Sequence, residues 1–334
     1  MATDTLPEGF TDLDMYVFST LFLITGVLGF VLNAVTIVTF MCVREHRSPN
    51  NFLVVNLALA DMILSVNGFL AGYSTYLRHW PFGQLGCVLH GFHGMISVLA
   101  SVSFMAAIAW DRYHQYCTRQ RLFWSTTMVI TAFIWVMAIF WASMPLLGWG
   151  VYDFEPLRTC CTLDYTRGDR NFISYMVTLV MLYLTFPTYI FHSCYNAIER
   201  QFNRVHHHRF NTGRPLTVMW ICWLPYTLIC LYACVFDAKY FSPRTRMMCP
   251  LLAKLNPICN VVLYSFGNEF HRGGVWYLFT GQRPAQPAQR TAQREVQPAQ
   301  PVQREVQPVQ REVQPAQPAP REVPPAQPAA KKSN

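Results

Sequence analysis

The residues able to do chemistry converge on one stretch, MMCPLLAKLNPICNVVLYSFG at 247–267, which is long and apolar enough to cross a bilayer as a helix. One cation, Lys254, stands inside it. A lysine at mid-membrane costs about 2.5–3.5 kcal/mol on insertion scales, so its presence needs a reason. The chain has only four lysines, and the other three, Lys239, Lys331 and Lys332, fall in a predicted loop and at the C-terminal tip. Abundance therefore does not explain Lys254. A structural cation would snorkel to an interface or pair with a carboxylate. About seven mostly apolar residues precede Lys254 and about ten follow, which argues against snorkelling. The other role is a desolvated amine. Burial favours its uncharged, nucleophilic form, and such an amine condenses with an aldehyde to give a Schiff base. Pro257 has no N–H to donate to the carbonyl of Ala253, which loosens the backbone beside the lysine.

The elements that must position this lysine are membrane helices. The 334 residues are 52% apolar and 15% aromatic with only 13% charged, a membrane composition. Seven segments are predicted to span, at about 16–42, 52–76, 88–110, 126–147, 172–195, 215–236 and 247–266. The net charge of +8 is a loop property: Arg44 and Arg47, then Arg112, Arg119 and Arg121, then Arg200, Arg204, Arg209 and Arg214 lie in alternate connections. The positive-inside rule accounts for this better than nucleic-acid binding, and it puts the C-terminus in the cytoplasm. The arm at 1–15 carries Asp4, Glu8, Asp12 and Asp14 without Lys or Arg, and is expected outside or in a lumen. Its polarity offers no cleavable signal peptide. The luminal connections hold Arg158, Arg167 and Arg170, but acids as well. Residues 16–280 form the expected seven-helix domain. Residues 281–334 form a Pro/Gln-rich tail in which REV recurs at 294, 304, 311 and 321, a composition that reads as disordered. Most of the eleven cysteines lie in apolar segments, and no metal-ligand spacing appears. The run His206, His207 and His208 sits in a basic, solvated loop, so no metal site is expected.

Polar residues punctuate the seven segments in a fixed order. Segment 1 has Asn33 in GFVLNAV, segment 2 has Asp61 in NLALAD, and segment 3 ends in Asp111-Arg112-Tyr113. Segment 4 has Trp135, segment 5 Pro187 and Tyr195, segment 6 CWLPY with Trp223 and Pro225, and segment 7 NVVLY with Asn260 and Tyr264. Singly, each is an ordinary interhelical hydrogen-bonding group. Together they resemble rhodopsin-class G-protein-coupled receptors over residues 15–280. Lys254, six residues before Asn260 and ten before Tyr264, stands at the place of the retinal-binding lysine of opsins. WPFGQLGCVLHGFHG (80–94), AIAWDRYHQYCTR (107–119) and MPLLGWGVYDFEPLRTCCTLDYTRGDRNF (144–172) are similar to the retinal G-protein-coupled receptor group of the retinal pigment epithelium, relatives of retinochrome.

The resemblance implies an all-α membrane fold of seven helices and a chromophore, retinal, on Lys254. It implies a light-driven isomerase, without a catalytic triad or metal, that converts all-trans-retinal to 11-cis-retinal in intracellular membranes of retinal support cells. Retinoid-binding or retinol dehydrogenase proteins, and a G protein, are the partners it brings; nucleic acid is not among them. Trp223 and Tyr226, three apart on segment 6, would pack along the retinal, with Phe186 and Tyr183 of segment 5 beside them. An oxidising lumen permits a bridge from Cys87 to Cys160 or Cys161, and the spacing to Asp164 and Tyr165 resembles the opsin loop and points to Cys161. That bridge would pin the 148–171 loop over the lysine as a lid.

A protonated Schiff base in low dielectric requires an anion. Three residues after Cys87, where visual opsins carry a carboxylate, this chain has His90. Glu155, six residues before Cys161, matches the lid glutamate of some non-visual opsins and is the expected counterion, with His90 and water relaying its charge. Asp61 lies further toward the cytoplasm. Other departures bear on signalling. Val205 and His206 stand near the expected start of segment 6 with no acid to hold Arg112, the loop at roughly 196–214 is short, and Val261 replaces the usual proline of segment 7. These weaken an activation switch, although Asp111-Arg112-Tyr113 is intact. Two rivals to the isomerase remain: a light-sensing receptor acting through a G protein, and a receptor for another lipid whose head group pairs with Lys254. A transporter fits poorly, because no inverted repeat or second intramembrane charge network is visible.

Overall fold

The computed structural model describes residues 9–155, 157–166, 168–206, 214–236, 240–266 and 269–282, and of these all side chains except those of 203–206, 214–216 and 269–271. The expected tail beyond Gln282, Asp4, Glu8, Arg167, Lys239, His207, His208 and Arg209 lie outside the described residues.

The chain opens with α1 (Asp12–Cys42), where Thr11 caps the helix and exchanges hydrogen bonds with Asp14. Six residues, including a single 3-10 turn at Arg44–His46, lead to α2 (Pro49–Leu77), which starts on a Ser48 cap with proline in its first turn. The long α3 (Gly83–Tyr113) runs through the middle of the core, with Phe104, Ala100 and Ala109 fully buried. After α4 (Trp124–Ser143) comes a hairpin of β1 (Tyr152–Phe154) and β2 (Cys161–Leu163), antiparallel with Phe154 opposite Cys161. The fifth span is two helices in line, α5 (Arg170–Val180) and α6 (Phe186–His206), joined by a π-helical turn at Met181–Thr185. Pro225 sits inside α7 (Arg214–Ala233). Pro250 and Pro257 sit inside α8 (Pro243–Asn260), which continues as a π-helical turn over Val261–Phe266. A final helix, α9 (Glu269–Thr280), follows.

Six helices are long and apolar enough to cross a membrane, and α7 contains a shorter apolar helix, Thr217–Ala233. The 20 residues of α7 still reach about 30 Å at about 1.5 Å per residue. The seven expected spans are thus present. The bundle is built for lipid: α1 buries Ser19, Thr25, Asn33 and Thr36 while Val27, Leu28 and Val31 face out. Without water between helices, close packing and interhelical hydrogen bonds hold them. Ser19 donates to the carbonyl of Gly72 at 2.9 Å, Asn33 to that of Pro257 at 3.2 Å, and Trp135 to Asn56 Oδ1 at 3.0 Å.

Gly26 is where α1 meets α2 backbone to backbone. A Cβ there would stand 2.7 Å from the Phe69 nitrogen and 2.9 Å from the Ser65 carbonyl oxygen. Gly26→Ala is therefore expected to destabilise the bundle by about 1–3 kcal/mol, as overpacking does. Thermal unfolding in detergent checks this, with lipid-facing Val27→Ala as the near-neutral control.

Two boundaries differ from expectation. Segment 5 extends through His206, so Val205 and His206 belong to α6 rather than opening the next span. Hydropathy marks only the buried stretch, whereas a helix runs on through polar residues until glycine or proline interrupts it. The 148–171 loop is not purely irregular, because its β-hairpin adds strand structure to an otherwise helical fold.

Candidate functional site

Lys254 is half-buried on α8, near its middle. Its stem lies against Gly68 of α2, where a Cβ would come within 3.2 Å of the lysine Cδ, and its Nζ sits 5.8 Å from the ring centroid of Phe22 on α1. Glycine at 68 thus leaves room for the side chain, and the amine has an aromatic face beside it. The neighbouring positions Leu251, Ala253 and Asn256 are buried, so the amine projects inside the bundle.

The hairpin covers this region. The Cys87–Cys161 disulfide ties β2 to the start of α3, as the opsin-like spacing implied, and Cys160 stays free and buried. Successive strand residues point to opposite faces, so Cys160 and Cys161 cannot share a side. Cys161 packs with Trp80 and Cys87, while the Cys160 thiol hydrogen-bonds the Glu155 carboxylate. Glu155 also donates its backbone N–H to the Cys160 carbonyl at 3.0 Å. Glu155 is 5% exposed. Burial pushes its carboxyl above the usual carboxylate range, against the pull of Lys254, the Cys160 thiol and Arg246. Glu155, the one buried acid of the lid among the described residues, is within electrostatic reach of Lys254, the one lysine among them.

His90 does something other than expected. One ring nitrogen, Nδ1, meets the Cys161 carbonyl at 2.8 Å and the other, Nε2, meets the Asn67 carbonyl at 3.1 Å. Asn67 in turn donates to the His90 carbonyl at 2.7 Å. Both ring nitrogens turn to backbone carbonyls, and a neutral imidazole, with one N–H, donates to one of them; the described hydrogen bonds of His90 reach neither Glu155 nor Lys254, which corrects the relay expectation. His90 ties the hairpin to α2 and α3, and the edge of Trp80 stacks on it at 4.9 Å.

Of the expected pocket residues, Trp223 is buried with its indole N–H unpartnered among the described residues. Tyr226 is half-buried, shares a 2.8 Å hydrogen bond with Thr162 of β2, and meets the ring of Tyr165 edge-on. Tyr183 is half-buried against the main core. Phe186 is 60% exposed and points outward, which corrects its placement in the pocket. The π-helical turn just before it inserts extra backbone, and each added residue rotates the following face by about 100°. Asp61 is fully buried, and both its oxygens are occupied: Ser101 donates at 2.8 Å and Asn260 at 2.9 Å. At the other end, Arg112 donates to Tyr195 at 3.2 Å and lies 4.9 Å over the Tyr264 ring, while Asp111 accepts from Gln115. The tyrosines thus hold Arg112 where the sequence offered no acid.

Sequence reasoning did not single out Gly68, Cys160 as partner of Glu155, or Thr162 as partner of Tyr226. Strand alternation around Cys160 and Cys161 was the one available signal; Gly68 had none.

The geometry has relatives. The family profile described as 7 transmembrane receptor (rhodopsin family) matches residues 32–264. The RPE-retinal G protein-coupled receptor of Mus musculus is 42% identical over 282 residues, 84% of this chain and 97% of that one. The Homo sapiens protein of that name is 41% identical over 84% of this chain and 97% of its own length. The visual pigment-like receptor peropsin of Homo sapiens is 25% identical over 82% of this chain and 87% of its own. The crystal structure of squid rhodopsin has the same fold, with a TM-score of 0.73 at 23% identity over 90% of this chain and 95% of that one. Profile, identity and coverage place the chain in the rhodopsin family of seven-transmembrane receptors, in the group of the RPE-retinal G protein-coupled receptors.

Proposed function

We propose that this protein binds retinal through Lys254 and, in light, converts the all-trans form to 11-cis. The observation that carries the reading is a solitary lysine amine inside the bundle, given room by Gly68, beneath a lid whose buried Glu155 faces it. Retinal supplies the light absorption and the bond that turns. The chain supplies the rest. Lys254 offers the nucleophilic amine, and Glu155 offers a desolvated carboxylate to compensate positive charge at that nitrogen. The hairpin, tied by the disulfide, His90 and Tyr226, keeps water from the site. Trp223, Tyr226 and Tyr183 form aromatic walls suited to a polyene. In the membrane the hairpin lies on the luminal side and α9 in the cytoplasm. A retinoid-binding protein or a retinol dehydrogenase would deliver substrate or consume product.

A second reading has its own support: Arg112, held among the described residues by tyrosine groups at 3.2 and 4.9 Å, is available to a G protein once those contacts part. One experiment separates the two. Protein loaded with all-trans-retinal is illuminated, the retinals are extracted and resolved by chromatography, and nucleotide exchange is followed on the same membranes. Formation of 11-cis-retinal with repeated turnover and little exchange is expected. Unchanged all-trans-retinal, or conversion of 11-cis to all-trans with strong exchange, would transfer the assignment to the receptor.

A further inference from the structure

We propose that the groove between α7 and α8 on the hairpin side is the port through which retinal enters from the bilayer toward Lys254; the inference rests on the retinal reading above. The groove has a volume of about 520 Å³, within the usual range of ligand sites. Leu228, Ile229 and Tyr232 line it from α7, and Phe241, Thr245 and Cys249 from the side of α8. Leu228, 53% exposed, stands at the mouth, and Ile229 and Cys249, 4% and 6% exposed, form the floor. Among the described residues no charged side chain lines it, and the Tyr232 and Thr245 hydroxyls are its polar groups. Such a lining suits a hydrocarbon chain with one weakly polar end.

Continuity with the lysine site selects the occupant. The Cys249 thiol of the floor and the adjoining Cys230 thiol are both within electrostatic reach of the Glu155 carboxylate. The two thiols thus lie near that acid, with the rings of Tyr165 and Tyr226 beside Cys230. Cys249 precedes Lys254 by five residues on the same helix, about 7.5 Å along its axis. On the aqueous side the lid is fastened at Cys87–Cys161, at His90 and at Tyr226–Thr162. Pro225 in α7 and Pro250 in α8 each remove a backbone hydrogen bond beside the groove, which lowers the cost of parting the two helices there. An apolar aldehyde already dissolved in the bilayer would meet this opening sideways.

The test uses full-length protein in phosphatidylcholine vesicles, with pigment formation followed after all-trans-retinal is added. Leu228→Trp and Thr245→Trp are expected to slow loading about tenfold, as about 1.4 kcal/mol of added barrier would, with the final absorption spectrum unchanged. Val177→Trp, on the lipid face of α5, should load at the normal rate. A second measurement needs no Schiff base. A diazirine-bearing retinyl analogue without the aldehyde, photolysed on Lys254→Ala protein, should attach within 228–249 and be displaced by retinol but not by a fatty acid. Normal loading in both tryptophan variants overturns the port, as do adducts confined to other helices. Equal displacement by the fatty acid also overturns it, since the groove is then a lipid seat. Wild-type protein that forms no pigment removes the retinal reading itself, and the port with it.

Discussion

Lys254→Ala protein is expected to form no visible pigment with retinal, a complete loss rather than a weakening. Lys254 is the one lysine among the described residues, and its stem occupies the space beside Gly68. Among the described residues no second lysine amine can take over the condensation. Borohydride reduction of loaded wild-type protein should leave the retinyl label on the 247–266 peptide. Lys254→Arg sharpens the test, because a guanidinium keeps the positive charge but is not deprotonated in proteins and so offers no nucleophilic amine. A receptor that uses Lys254 only to pair with a lipid head group would tolerate arginine. A retinal protein would lose its pigment in both variants. A normal absorption band in Lys254→Ala would end the retinal reading and promote the lipid receptor.

Glu155→Gln is expected to move the visible-to-ultraviolet transition to lower pH by about 1–3 units, the effect of one close opposite charge. The protonated, visible-absorbing form dominates below the Schiff-base pKa and is lost as pH rises through it. Removing a facing anion lowers that pKa, so the visible form must vanish at lower pH. Glu155 is 5% exposed and its carboxyl is raised by burial, yet Lys254, the Cys160 thiol and Arg246 all favour its ionised form. Acidification should therefore neutralise Glu155 at a higher pH than a free carboxylate, giving a second spectral change on the acid side. His90→Ala should shift the main transition less, because the ring nitrogens meet backbone carbonyls, at 2.8 and 3.1 Å, rather than Glu155 or Lys254. Its expected effect is faster exchange of bound retinal, as the hairpin loses one fastening. A titration in Glu155→Gln that overlays the wild type would remove this acid from the site.

What the sequence by itself determined is whatever one stretch of chain must satisfy alone. Each span needs its own apolar run and its own backbone hydrogen bonds, so all seven were legible, as was the oddity of a lysine within the last. The disulfide partner came through resemblance, since local spacing left Cys160 and Cys161 equivalent. The end of α6 at His206 was not legible, because hydropathy falls off before the helix does. Only the tertiary structure decided which polar groups meet. His90 finds the Cys161 carbonyl 71 residues away, Tyr226 finds Thr162 across 64, and Asn33 finds the Pro257 carbonyl across 224. Such contacts depend on how each helix is rotated about its axis. One π-helical turn at Met181–Thr185 was enough to turn Phe186 toward lipid. Rotation is set by packing against neighbours such as the Gly26 and Gly68 contacts, where the absence of a Cβ matters only because another segment is pressed against it.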